Sequence, residues 1–350
     1  MKIDLHTHIL PENWPDLRER YGDTRFPHVE HYAPCCARIL IEGEGQREIR
    51  DNLWSPVKRI EECDACGVTL QVISTVPVMF SYWADPADGH DLARLLNDHL
   101  AGVVAEHPER FVALGTLPMQ TPELAIRELE RCVTKLHMPG VQIGTNVNGR
   151  NLDHPSVSAI LEAAQTLEAA VFVHPWEMMG KDRTAKYWLG WLVGMPAETA
   201  LAICSVIFGG VLERLPRLRI GFAHGGGAFP GTIGRIEAGF HARPDLCAVD
   251  NPANPRSYLG RMYFDSLVHD ADALRYLIKL VGGERIALGS DYPFPLGEAR
   301  PGALVESMND LSPQARDRLL WGTALEFLGL SGHVPTAEAV KRPPSDSSPA

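Results

Sequence analysis

The sequence is expected to lack a leader or membrane-anchor segment. Its opening residues, Met1 to Leu10, interleave polar and apolar side chains where a secretion signal is uniformly apolar. Ala200 to Leu212 is the most apolar stretch, yet it is short for a bilayer and is interrupted by Gly209 and Gly210. A cytoplasmic chain without a membrane partner is the expectation. Basic charge is not in excess either: Lys plus Arg number 33 against 44 for Asp plus Glu, a net charge of −11. Nucleic acid and anionic membranes both call for a basic surface, so neither is expected as a partner. A small anion held by a few arginines is compatible with this balance. Cysteine is sparse and odd in number, at 7, which argues for reduced thiols and against a disulfide framework. Cys63 to Cys66 form a lone CxxC with no second pair to complete a zinc ribbon. They close an amphipathic stretch just before Gly67 and read as helix residues. Cys35 and Cys36 are adjacent in a loop-like stretch where the sequence suggests no chemistry. No GxGxxG follows the first strand, and neither a pyridoxal lysine motif nor a thiamine signature is evident, so no organic cofactor is expected.

What the chain does have is a repeated alternation. Of its 350 residues, 45% are hydrophobic and 22% charged, ample for a large core that needs no staple. Short β-branched runs predict strands at Ile3 to His6, Thr69 to Thr75, Phe111 to Leu117 and Gly140 to Thr145. Four more fall at Ala170 to His174, Leu218 to His224, Met262 to Ser266 and Arg285 to Ser290. Helical stretches lie between them, among them one near Pro56 to Cys66, then Asp91 to Glu106, Pro122 to Leu136, Pro155 to Leu167 and Pro196 to Leu215. Proline near a helix start loses no hydrogen bond, which suits Pro122, Pro155 and Pro196. Eight βα units predict an α/β fold, a closed (β/α)8 TIM barrel, with a doubly wound open sheet as the alternative. The first unit is irregular. Residues 11–51 are too long for a βα loop and are expected to form a small insertion, or lid, over the C-terminal mouth of the strands. The single barrel is expected to span residues 1–330. The tail at 331–350, rich in Pro and Ser, is expected to be disordered.

Chemistry collects at the predicted strand ends. His6 and His8 alternate onto one face of the first strand, and strict alternation puts Asp4 there too. His174 ends the fifth strand, His224 the sixth and Asp291 follows the eighth. Alone, each strand-end histidine is more simply a satisfied core residue. A barrel brings all these ends to one mouth, where three imidazoles and a carboxylate suit Zn²⁺ or a similar divalent ion. His224 is then left over beside the metal, placed to take a proton from bound water near neutral pH. Gly225, Gly226 and Gly227 after it let backbone or substrate come close. The fourth strand, Gly140 to Thr145, has no lysine to bridge a second ion, which favours one metal over two.

This pattern resembles the amidohydrolase superfamily. Longer blocks narrow the resemblance: Ser74 to Ala84, Gly115 to Gln120, Pro139 to Thr145, Trp191 to Thr199, Ala223 to Pro230 and Asp291 to Glu298. With Met1 to Asp4, they resemble the 2-amino-3-carboxymuconate-6-semialdehyde decarboxylase family over roughly Met1 to Leu330. That resemblance implies a cytoplasmic, zinc-dependent, non-oxidative carboxy-lyase of the kynurenine route of tryptophan breakdown. It would divert a semialdehyde from quinolinate and NAD synthesis. It implies one zinc per subunit on His6, His8, His174 and Asp291, and His224 as the catalytic proton carrier. Arg47 and Arg235 would bind a dicarboxylate substrate, and Trp188, Trp191, Met178 and Phe294 would wall the pocket. It also implies a homodimer in which Arg235 reaches the neighbouring subunit's site. Read without the resemblance, Arg47 is a loop arginine, Arg235 an exposed helix charge, and Trp188 with Trp191 a packed helix face. Gln46 stands where an aromatic is expected in close relatives, and Ile41 where a lysine is plausible. The expected mechanism has His224 deprotonate zinc-bound water, which adds to the enamine-like double bond before carbon dioxide leaves. The alternative is a related barrel decarboxylase or hydrolase acting on another carboxylated substrate.

Overall fold

The structure is a computed structural model that describes residues 1–13 and 15–332, so the expected disordered tail lies outside the described residues from 333 on. The chain opens with β1 (Ile3–Ile9) and then leaves the barrel for α1 (Leu17–Tyr21), β2 (His28–Ala33), β3 (Cys36–Ile41) and β4 (Glu44–Arg50). Regular alternation follows through α2 (Pro56–Cys66), β5 (Leu70–Thr75), α3 (Pro86–Glu106), β6 (Phe111–Gly115), α4 (Pro122–Thr134) and β7 (Gly140–Gly144). A short hairpin of β8 (Asn146–Val147) and β9 (Arg150–Asn151) precedes α5 (Pro155–Thr166) and β10 (Ala170–His174). Next come α6 (Met195–Phe208), α7 (Val211–Arg214), β11 (Ile220–Phe222), α8 (Phe229–Ala242) and α9 (Pro244–Cys247). β12 (Tyr263–Asp265), α10 (Ala271–Val281) and β13 (Ile286–Ala287) complete the ring.

Local chemistry sets the helix ends. Pro56 opens α2 after Ser55, whose side chain accepts from Lys58 N, and Gly67 closes it in the left-handed conformation at φ 72°. Asp85 caps α3 ahead of Pro86, and His154 caps α5 ahead of Pro155. The CxxC belongs to α2, as its setting suggested. Cys63 is buried, and burial pushes its thiol up to about 12.

Eight parallel strands pair in the order β1, β5, β6, β7, β10, β11, β12, β13. The ring closes where Leu5 N donates to Leu288 O, His8 N to Tyr292 O and Asp291 N to His6 O, at 2.8–2.9 Å. This closure is the expected (β/α)8 barrel and excludes an open sheet. Phe172, Phe327, Leu5 and Val72 fill the lower interior, and the Phe172 ring lies 5.2 Å from that of His6. The polar mouth therefore stands on a dry floor. A second, larger cluster packs the outer face of the strands against the helices.

Three expectations change. The sixth and eighth strands end earlier than their apolar runs, at Phe222 and Ala287, because His224 and Asp291 adopt left-handed backbone at φ 56° and 57°. The helix expected from Pro196 to Leu215 breaks at Gly209 and Gly210, where Gly210 has φ 64°. It also continues backward, so that Gly190–Phe208 is long and apolar enough to cross a membrane, yet Ala202, Ile203, Val206 and Ile207 are buried in the outer core. Finally, Asp4 does not share the face of His6 and His8. Asp4 pairs with Gln71 but Thr7 with Ile73, so a bulge inserts one residue into β1. It turns Asp4 to the helix side, where Ser290 N and Oγ donate to its carboxylate.

The insertion is a folded unit. β2, β3 and β4 form an antiparallel sheet whose Val29, Ala37, Ile39 and Ile49 pack with Trp54, Val76 and Leu92. This seats the sheet over β5 and α3 at the barrel mouth. Beneath it His99, on α3 beside the Leu10 backbone, has its imidazole pushed down to about 4 by burial, and its Nε2 has no partner. In the unfolded chain this group keeps the ordinary value of 6.5. Between 6.5 and about 4 the unfolded state therefore binds the extra proton, and stability is lost as pH falls through that window. His99→Gln should flatten the decline of the metal-free protein's urea midpoint between pH 7 and pH 4. An identical decline in both proteins would contradict this.

Candidate metal centre

Past the bulge, β1 turns His6 and His8 inward. His174 comes from the last position of β10, and Asp291 from the turn after β13. The three histidines are at most 3% exposed. One ligand atom from each of the four residues lies within 4.8 Å of the others. Two ligands of one ion at about 2.1 Å each stand at most about 4.2 Å apart, so shifts of about half an ångström close the group on an ion.

A hydrogen bond at Nδ1 orients each ring. His6 Nδ1 meets Asp265 Oδ2 at 2.7 Å, His8 Nδ1 the Thr75 carbonyl at 3.0 Å, and His174 Nδ1 the Pro175 carbonyl at 3.0 Å. Carbonyls and carboxylates only accept, which assigns the proton to Nδ1 and leaves a lone pair on every Nε2. These lone pairs face one another. His6 and His8 Nε2 are 3.2 Å apart, and Asp291 Oδ1 lies 3.1 Å from His8 Nε2 and 3.5 Å from His6 Nε2. No proton is left to share among them, and Asp291 Oδ1 is buried without a hydrogen-bond donor. Such a group is repulsive alone and stable around a cation, so the residues present fit a divalent metal.

The titration directions of His8 and His174 agree. Burial pushes the His8 imidazole down to about 4 and, with the neighbouring rings, holds His174 well below its ordinary value. Both are thereby kept in the neutral, ligating form. Burial would lower His6 too, but its bond to Asp265 and the Asp291 charge hold it above the ordinary value, so metal binding at this ring has to displace a proton. Burial would raise Asp291, yet contacts with His224, His8 and His6 keep it well below the usual carboxylate range.

Asp265 is the residue that strand-end reasoning missed. It is fully buried, and its Oδ1 accepts from Gly225 N at 2.8 Å and Leu267 N at 3.2 Å while Oδ2 turns His6. One carboxylate thus ties a metal ligand to the loop that carries His224. The signal was available, since Asp265 ends a strand just as His174 does. His224 flanks the ligand group: its Nε2 is 3.8 Å from Asp291 Oδ2, and its ring centroid is 5.2 Å from those of His6 and His174. The glycines after it serve close backbone packing. A Cβ on Gly225 would meet Val268 Cγ1 at 2.4 Å, and one on Gly227 the Pro196 carbonyl at 2.5 Å.

Above the ligands lies a cavity of about 760 Å³, reached by His174 and Asp291. Trp176, Met178, Trp188, Trp191 and Phe294 wall it, and Ile39, Ile41 and Arg47 of the insertion cover it. The Arg47 guanidinium sits 4.0 Å from the Phe294 ring centroid. Burial lowers its pKa and Asp291 opposes that. Among the described residues no carboxylate lies within salt-bridge distance of Arg47, so it faces the cavity as an unneutralised cation. Tyr187 and Trp188 have left-handed backbone, so Trp188 and Trp191 are not a regular helix face. Their rings meet at 6.0 Å within the cavity wall. Arg235 is not brought to this cavity; it is exposed on α8.

Two substitutions test the centre. Asp291→Ala should lose both metal and activity, and a metal-replete, active variant would contradict its place in the group. Asp265→Asn should weaken metal affinity about 10- to 100-fold in a chelator competition without unfolding the chain, since it loosens the ring it orients. Unchanged affinity would contradict that role.

Comparison with known proteins places this site. Residues 3–330 match the amidohydrolase family. A 2-amino-3-carboxymuconate-6-semialdehyde decarboxylase of Dictyostelium discoideum is 60% identical, over 94% of this chain and 92% of its own length. One of Caenorhabditis elegans is 38% identical over 95% of both chains. Among solved structures, a manganese-bound 5-carboxyvanillate decarboxylase of Novosphingobium aromaticivorans superposes with a TM-score of 0.81 at 22% identity, covering 94% of this chain and 96% of the other. The apo IDCase of Metarhizium anisopliae gives 0.80 at 24%, covering 94% and 97%. Those two likenesses establish the barrel. On the strength of the near-full-length sequence matches, the chain is a carboxy-lyase and belongs to the amidohydrolase family and, within it, to the 2-amino-3-carboxymuconate-6-semialdehyde decarboxylases.

Proposed function

We propose that this protein removes carbon dioxide from 2-amino-3-carboxymuconate 6-semialdehyde, without oxidation, to give 2-aminomuconate 6-semialdehyde in tryptophan catabolism. We further propose one zinc ion per subunit, a homodimer and a cytoplasmic location. The observation that carries the reading is the unneutralised Arg47 set above a complete three-histidine, one-aspartate group in a single cavity. The 60% identical relative, named for this reaction, supports the choice of substrate.

The residues divide the work by position. Arg47 pairs with a substrate carboxylate through charge-assisted bonds, and the Phe294 ring beneath the guanidinium holds its plane. Trp191, Trp188 and Met178 pack the carbon chain and keep water from the reacting carbon. His6, His8, His174 and Asp291 hold the ion, which supplies Lewis acidity to a ligand oxygen. His224 Nε2, beside Asp291, takes a proton from the water whose oxygen adds to the double bond and returns it to the neighbouring carbon that carries the departing carboxylate. The carbon–carbon bond then breaks, its electron pair re-forms the double bond and expels the added hydroxide, and carbon dioxide leaves with the proton in its place. Arg235 binds the second carboxylate of the neighbouring protomer's substrate. Its exposure on α8 supports a role across an interface.

The deciding experiment measures carbon dioxide from freshly made substrate with zinc-loaded protein against a metal-free control. One carbon dioxide per substrate is expected. No release from metal-replete protein would overturn the proposal. His224→Ala should keep its metal and lose turnover, and normal turnover would remove its proton role. Mixing His224→Ala with Arg235→Ala protein should restore about a quarter of wild-type activity, because half of the dimers are mixed and each has one intact site. No recovery between two folded, dimeric variants would contradict sharing of Arg235.

A further inference from the structure

Cys35 and Cys36 take no part in the site above. Adjacent side chains of a regular strand point to opposite faces, which holds neighbouring sulfurs apart. Here Cys35 occupies the turn between β2 and β3, and Cys36 is the first residue of β3, paired across a register shift with Ala33. The turn brings both side chains to one side, and the two Sγ atoms lie in contact at 3.1 Å. Cys35 is exposed, Cys36 is partly so, and both are free thiols. Among the described residues no other two sulfurs come within hydrogen-bonding distance of each other.

The pair is also wired to the cavity. Asp51 N donates to the Cys35 carbonyl at 3.1 Å, Cys36 pairs with Arg50, and three residues along the same ladder Ile39 pairs with Arg47. Ile39 and Arg47 both line the cavity. A bond between adjacent cysteines closes an eight-membered ring through the peptide that joins them. That ring constrains the backbone at Cys36, which pairs with Arg50 at one end of the ladder whose β4 strand carries Arg47.

We propose that Cys35 and Cys36 form a reversible dithiol–disulfide site, oxidised by hydroperoxides, that controls how the insertion presents Arg47 to substrate. The first thiol attacks the peroxide oxygen as its thiolate, becomes a sulfenic acid and releases water or an alcohol. The second sulfur then displaces hydroxide from the sulfenic sulfur, forming the sulfur–sulfur bond and a further water. Two thiols thereby give up two protons and two electrons, and the hydroperoxide accepts them. A dithiol reductant reverses the step by exchange. The effect on Arg47 rests on the decarboxylase reading, whereas bond formation does not.

The test uses the full, metal-loaded chain treated with hydrogen peroxide, alkylated and mapped by mass. The peptide holding both cysteines should lose two hydrogens, the count of free thiols should fall by two of 7, and dithiothreitol should restore both. Cys35→Ser and Cys36→Ser should each abolish the closure. Oxidation should raise KM several-fold in the wild type, with kcat and metal content unchanged, and should leave the KM of Cys35→Ser unmoved. Sulfinic acids or interchain bridges in place of the closed pair would overturn the proposal. Closure without a change in KM would overturn the coupling to Arg47. If neither form releases carbon dioxide, the decarboxylase reading fails, while the mass shift still decides whether the pair closes.

Discussion

Three imidazoles and one carboxylate point at a common centre, and the architecture of the barrel mouth follows from holding them there. The arrangement holds only because every ring is anchored from behind, at Nδ1, by Asp265, the Thr75 carbonyl or the Pro175 carbonyl. These anchors are buried, so they lose little to competing water. A cation turns the arrangement from costly to favourable, and metal binding is thereby coupled to the packing of three separate strand ends.

The backbone bends to meet this requirement. His224 and Asp291 occupy left-handed conformations, each costing about 1–3 kcal/mol for a residue with a Cβ. Asp291 N bonds to His6 O, and Gly227 N to His224 O, which holds both residues where regular strand geometry would not put them. Arg59 reinforces the same region. Fully buried, it donates to the His8 and Asn52 carbonyls and to Thr7 Oγ1, and lies over the Tyr292 ring, so it spans both sides of the barrel closure.

The insertion supplies what the barrel lacks. The strand ends offer nitrogen and oxygen ligands but leave the cavity open above them. β3 and β4 close part of that opening with Ile39, Ile41 and Arg47. Because the insertion has its own apolar cluster, it holds together as a unit that carries Arg47 into the wall. The Arg47 guanidinium then stands over a carboxylate-bearing centre within one enclosure, in a chain of net charge −11.

Much of this was legible in the sequence. β-branched runs ending in His174, His224 and Asp291, separated by proline-started helices, determine a barrel whose ligands meet, because periodicity and capping act locally. The lone CxxC before Gly67 likewise declared itself a helix end. What alternation could not determine was the bulge in β1, which moved Asp4 off the metal face, since a register shift depends on the partner strand. Asp265 stood at a strand end like His174, but its partners, 40 and 259 positions away, were set only by the closed barrel. The contact of Cys35 with Cys36, and the placement of Arg47 above Phe294, were likewise decided only when a turn and a sheet set distant backbone in space. Local rules name the side chains; the long-range hydrogen bonds of the closed barrel decide which of them face each other.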